Sequence, residues 1–155
     1  MIFTTLDFLA DDGRLIGFGS GSFMAIPDPQ WTAPPLDDVL VRFAMPRGTL
    51  VEPLAERIGC ERTEPGTVVL PCSPSVHNAA RAINGGMLAV AVEEAALSAD
   101  PDARWIESMH LRYLRSVRVG PAVAQADVHY GTGRVEVRDA STDKVAAIAT
   151  TRSRG

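Results

Sequence analysis

A chain of 155 residues is long enough to bury one proper core and short enough to expect one main domain. Fifteen basic against nineteen acidic residues leave a net charge of −4, and no cluster of Lys or Arg marks a phosphate-tracking face, so nucleic acid is excluded as an expected partner. Cys60 and Cys72 are far apart with no CxxC spacing, which predicts neither a disulfide framework nor a metal site. The N-terminal residues show no basic region followed by an apolar core, and no apolar stretch is long enough to span a bilayer. The expectation is a soluble cytoplasmic protein with no membrane partner.

Residues 1–27 read as a β-hairpin, an extension outside the main domain: Phe3–Leu9 and Leu15–Phe23 flank Asp11-Asp12-Gly13, a turn signal. Its second half, Arg14–Gly21, lines up with Lys144–Thr151, each after an acidic turn and an earlier strand. Residues 28–49 read as a Pro-rich linker, with Pro29, Pro34, Pro35 and Pro46 opposing regular structure beyond a helical turn or two over Leu36–Phe43. The third region, 50–155, opens with a short helix, Leu50–Ile58, closed by Gly59. A strand over Thr67–Ser73 follows, with Pro71 placing its end at a sheet margin.

Gly85-Gly86 then opens a helix that runs through Met87–Ala99 and is apolar on every face apart from Glu93 and Glu94. Such a helix belongs in the middle of a protein, wrapped by other elements. A buried charge without a partner costs several kcal/mol, so at least one carboxylate is expected to face a polar pocket or a subunit boundary. At the helix start the first N–H groups lack intrahelical partners and, with the dipole, suit an oxygen that gains negative charge. Asp100-Pro101 ends the helix. Strands follow at Trp105–Tyr113, with Trp105, Met109, Leu111 and Tyr113 on one face; at Ala122–Tyr130; at Val135–Asp139 after a turn at Gly131-Thr132-Gly133; and at Val145–Thr151. The order predicts an α+β fold, a long helix packed on an antiparallel meander.

Three stretches carry a family resemblance over about two-thirds of the chain. Asn78, five residues and then Asn84-Gly85-Gly86 is the first. Glu93, nine residues after Asn84, is the second. Leu111-Arg112-Tyr113-Leu114-Arg115 running on to Gly120 is the third. Together they resemble the hotdog-fold acyl-CoA thioesterases of the phenylacetyl-CoA and hydroxybenzoyl-CoA type. That resemblance implies a long central helix wrapped by a curved antiparallel β-sheet, an acyl-CoA substrate, no cofactor, and a homo-oligomer (dimer or dimer of dimers) whose pocket forms between protomers. It implies a catalytic set of Glu93, Gly85, Asn78 and Asn84: the Gly85 N–H polarises the thioester carbonyl, Asn78 is a second donor, and Glu93 is general base or nucleophile. Gly86, His77, Arg81 and Ser108 are the candidate substrate-binding residues beside that set.

The chain departs from the family pattern at three positions. Asn84 stands where the family has His, Arg81 where the loop residue is usually small, and Leu97 where Glu-type members often carry a hydroxyl one turn past the acid. Ser98 leaves the helix about 100° away from that position, and Ser108 is another hydroxyl to weigh. Simpler readings stand beside these. Glu93 pairs with Arg112 or Arg115, Glu94 is structural, His77 makes ordinary loop hydrogen bonds, and Arg152 and Arg154 meet either CoA phosphates or solvent. At the level of function the alternative is a non-catalytic hotdog module that binds acyl-CoA or a hydrophobic ligand.

Overall fold

A computed structural model describes residues 2–23, 51–78 and 80–155. The expected linker at 28–49, with its helical turn at Leu36–Phe43, lies outside the described residues. The chain divides into two compact units, Met1–Arg47 and Gly48–Gly155. In the first, β1 (Ile2–Leu9) and β2 (Leu15–Phe23) pair antiparallel. The connection is closed by Ala10 N–H to the Arg14 carbonyl and Gly13 N–H to the Ala10 carbonyl, both at 2.8 Å. The Phe8 ring lies over Gly17 and Gly19 on the facing strand, covering backbone that those residues leave bare.

The second unit contains α1 (Leu54–Arg57), β3 (Glu61–Glu64), β4 (Thr67–Leu70), a 3₁₀ turn (Pro74–Val76), α2 (Gly85–Ala99), β5 (Trp105–Tyr113), β6 (Ala122–His129), β7 (Thr132–Asp139) and β8 (Lys144–Arg154). Six strands form one antiparallel sheet in the order β3-β4-β6-β7-β8-β5. The expected meander holds for β6, β7 and β8. β5 departs from it, since it pairs with β8 at the far edge and the chain then crosses back to β6. That crossing passes the start of α2, where buried Val117 accepts a 2.8 Å hydrogen bond from the Ile83 N–H.

Local chemistry explains the other differences from the sequence expectations. β3, Glu-Arg-Thr-Glu, is exposed at every position. An edge strand that buries neither face carries no apolar alternation to betray it, and only the Pro65-Gly66 turn signals it. In β5 a bulge between Ile106 and Ser108 reverses the parity. Ile106, Met109 and Leu111 therefore pack on the core, while Trp105 is left 51% exposed. The β6–β7 turn uses Tyr130 and Gly131, both at positive φ, the pairing a two-residue hairpin of this twist demands. Gly133 belongs to the strand instead, directly beneath the Thr151 side chain.

One stripe of α2, Leu88, Ala91, Val92, Ala95 and Ala96, is fully buried. It meets Val68, Leu70, Ala122, Ala124, Val135, Val137, Ala147 and Ala149 of the sheet. Alanines on both surfaces let helix and sheet approach closely, so the core fills with few aromatic rings. The opposite stripe, Ala89, Val90, Glu93, Glu94 and Leu97, is only half buried. Among the described residues the sheet packs on one side of this apolar helix, and Glu93 and Glu94 lie on the other.

Cys60, after α1, is half buried, and that burial together with the Glu94 charge pushes its thiol from 9.0 to about 11. Between those values the unfolded chain has lost the proton that the folded chain still holds, so stability falls as pH rises. Denaturant titrations are expected to show a Cys60-dependent loss that is absent below pH 9 and complete near pH 11. Cys60→Ala should remove that pH dependence.

Candidate active site

Residues 76–78 and 80–84 are tied together by backbone hydrogen bonds just before α2. Asn84 N–H donates to the Val76 carbonyl at 2.8 Å, Asn78 N–H to the Ala82 carbonyl at 2.8 Å, and Arg81 N–H to the Asn78 carbonyl at 3.0 Å. His77 and Ile83 form an isolated antiparallel bridge. The Asn78 side chain completes the loop, its Oδ1 accepting from the Ala80 and Ala82 N–H groups at 2.9 and 3.2 Å. Its oxygen is thus engaged by the backbone, which leaves its amide NH₂ as the group able to donate to a ligand. Arg81 stands exposed with φ of 55°, a left-handed conformation uncommon outside Gly, Asn and Asp.

His77 turns toward the sheet, its Nε2 3.2 Å from Cys72 Sγ. Burial and the Asp139 charge raise the Cys72 pKa, so the sulfur stays a thiol at neutral pH and its own donation goes to the Arg118 carbonyl at 3.4 Å. His77 therefore makes an ordinary loop contact. Gly120, the last residue of the third stretch, is required here on two counts. Its φ is +57°, and a Cβ would lie 2.8 Å from Cys72 Cβ.

Asn84 is the N-cap of α2. It has extended backbone, and its Oδ1 accepts from the Gly86 N–H at 2.8 Å. Asn84 supplies the acceptor of a standard helix cap, which gives it a local structural role where the family pattern has His. Among the described residues nothing accepts from the Gly85 N–H. The Tyr113 hydroxyl donates to the Gly85 carbonyl at 2.7 Å. Its ring occupies the space where a Cβ would go, with Cζ at 3.0 Å. The sequence pattern includes Tyr113 in the third stretch but gives it no part in the site. The only available signal is that aromatic at a strand end, and its meeting with Gly85, 28 residues earlier, belongs to the tertiary fold.

Two turns along α2 the adjacent acids differ. Glu94 is bound by Arg62, with Nε at 2.9 Å and the terminal nitrogen at 2.7 Å from the same carboxylate oxygen. Glu93 is half buried on the stripe facing away from the sheet and has no ion pair or hydrogen bond among the described residues. In particular, neither Arg112 nor Arg115 pairs with it. Leu97, one turn on, presents no hydroxyl. Ser98 holds the fold together, accepting from the Gly66 N–H and donating to the Ala95 carbonyl, both at 3.0 Å. Ser108 is exposed, on the face of β5 away from Met109 and Leu111, and is not brought to Glu93. Arg152 and Arg154 both pair with Glu107, at 3.4 and 3.1 Å.

Two clefts among the described residues, about 560 and 500 Å³, lie around the other end of α2. They are lined by Leu97, Ser98 and Arg104 in one case and by Asp102, Tyr130 and Arg154 in the other. Neither includes Gly85, Asn78 or Glu93.

The α2-on-sheet arrangement is that of the hotdog fold, and it recurs in solved structures. The PaaI protein of E. coli, from the phenylacetic acid degradation operon, is 19% identical with a TM-score of 0.52, over 65% of this chain and 86% of that one. The TT0310 protein of Thermus thermophilus is 22% identical with a TM-score of 0.54, over 68% and 100%. BH2602 of Bacillus halodurans, solved with CoA, is 19% identical with a TM-score of 0.52, over 76% and 83%. No family model matches the chain, and no curated protein matches its sequence. Among the described residues no helix is long and apolar enough to cross a membrane.

Proposed function

We propose that the protein is a homo-oligomeric hydrolase of acyl-CoA thioesters, working across a boundary between two copies of the chain. The observation that carries this reading is Glu93, a carboxylate without a partner among the described residues on the half-buried apolar stripe of α2, beside a Glu94 already committed to Arg62. Gly85 and Glu93 are eight residues apart, about 12 Å along the helix axis. A donor and a base must each come within about 3 Å of one reacting carbonyl. That spacing favours a thioester held between two chains. A twofold axis would relate them, with Gly85 of one facing Glu93 of the other.

In this mechanism the Gly85 N–H polarises the thioester carbonyl as negative charge develops on its oxygen, with the Asn78 amide as second donor. Glu93 takes a proton from the attacking water, or attacks the carbonyl itself to form an anhydride that water then opens. The carbon–sulfur bond breaks, releasing the acid and the CoA thiol. Arg81, Gly86 and His77 stand around the loop where the acyl-CoA would enter. Among the described residues the outer edge of β5 is unpaired and its Trp105 is exposed, which adds to the surface available to a second copy, since an unpaired nine-residue edge favours association.

A second reading, a module that binds acyl-CoA without hydrolysing it, draws on one observation. Leu97 offers no hydroxyl one turn from Glu93, and the neighbouring Ser98 hydroxyl is engaged by Gly66 and Ala95. An acyl-CoA panel assayed with a thiol-detecting reagent separates the two, CoA thioesters being the probes suggested by the CoA in BH2602. The hydrolase is expected to release thiol above the background of Cys60 and Cys72, and light scattering to give a dimer or larger. A monomer across a wide concentration range would count against the two-chain site, and binding without release would favour the module.

A further inference from the structure

The Gly85–Gly86 peptide is held at both of its polar ends. Its carbonyl accepts from the Tyr113 hydroxyl at 2.7 Å, and its N–H donates to Asn84 Oδ1 at 2.8 Å. The second bond closes a small ring, from the Asn84 side chain through the Asn84–Gly85 peptide and Gly85 to the Gly86 nitrogen. Both soft torsions of Gly85 lie inside that ring, and so does the Gly85 N–H. Tyr113, at the end of β5, ties the ring to the sheet.

We propose that Asn84 and Tyr113 are positioning residues that clamp the Gly85–Gly86 peptide and thereby aim the Gly85 N–H at the thioester carbonyl. The inference rests on the hydrolase reading. It resolves a conflict at this helix start. Two adjacent glycines leave room for substrate, and for the Tyr113 ring where a Gly85 Cβ would lie, but glycine backbone samples many directions. A donor that wanders is a poor one, because a displacement near 1 Å can cost about 10²-fold in rate. The two hydrogen bonds remove that freedom without filling the space. Burial also raises the Tyr113 pKa, which keeps its hydroxyl a donor at neutral and mildly alkaline pH.

The test uses the full chain and reads kcat and KM separately for the best acyl-CoA of the panel, beside amide hydrogen exchange at Gly85 and Gly86. Tyr113→Phe keeps the ring and removes the hydroxyl. The clamp requires kcat to fall by about 10-fold or more, consistent with a misaimed oxyanion donor. KM should change little, and exchange at Gly86 should quicken while Gly66 and Ala126 are unaffected. Asn84→Ser, which keeps an N-cap acceptor, should retain several-fold more kcat than Asn84→Ala, and this pair carries the test if Tyr113→Phe folds poorly. A wild-type protein that turns over while Tyr113→Phe keeps its kcat overturns the positioning role alone. So does a loss confined to KM, or equal activity in Asn84→Ser and Asn84→Ala. A wild-type protein with no turnover on any acyl-CoA overturns the hydrolase reading, and the positioning role with it.

Discussion

Glu93→Gln is expected to lower acyl-CoA turnover by ~10²-fold or more while acyl-CoA binding survives. The substitution preserves size and hydrogen-bonding reach and removes only the basicity and charge. Glu94→Gln is the internal control. Its carboxylate is held by Arg62, its side chain leaves the helix about 100° from that of Glu93, and loss of a partly exposed ion pair costs on the order of 1 kcal/mol or less. Steady-state kinetics on both variants, with thermal melts to show that each is folded, decide the matter. Equal losses would mean that the nine-residue spacing from Asn84 marks no special acid. A neutral or tighter-binding Glu93→Gln, from a wild type that does not hydrolyse, would leave a binding module.

Gly85→Val is expected to cost about 10²–10³-fold in kcat, the range for loss of one oxyanion donor. Two effects reach the N–H at once. The larger side chain crowds the approach of a thioester, and its Cβ would lie 3.0 Å from Tyr113 Cζ and 3.1 Å from the hydroxyl oxygen. Tyr113 is half exposed, so it can swing aside, but only by surrendering its hydrogen bond to the Gly85 carbonyl. Gly85→Ala grades the effect. Alanine favours the helix over glycine by about 1 kcal/mol in a helix interior and somewhat less at its first turn, so the melting temperature should move little while kcat falls. A Gly85→Val protein that folds and turns over at the wild-type rate would remove this N–H from the mechanism.

The half-buried stripe of α2 bears on both expectations. An apolar helix in the middle of a sequence announces burial, yet here the sheet takes Leu88, Ala91, Val92, Ala95 and Ala96 and leaves Ala89, Val90 and Leu97 half covered around Glu93. Apolar surface flanking an unpaired carboxylate is poor surface for solvent and good surface for a second copy. Among the described residues the sheet edge at β5 is open as well.

By itself the sequence determined what depends on near neighbours along the chain. The helix from Gly85, the hairpin at Asp11-Asp12-Gly13, the strands β6 to β8 and the α+β order are all local patterns of apolar spacing and turn residues, and each formed. The Asn84-Gly85-Gly86 and Glu93 spacing is local as well, being a matter of turns along one helix. Tertiary structure decided whatever required a partner distant in sequence. The bulge in β5 exchanged Trp105 for Ile106 at the core, because register against β8 governs which side faces in. β3 formed although no side chain of its own is buried, because β4 offered it an edge. Arg62 selected Glu94 over Glu93, Ser98 was drawn to Gly66, and Tyr113 came to rest on Gly85. Those meetings follow from how the sheet is ordered and where α2 crosses it, and no periodicity in the chain encodes them.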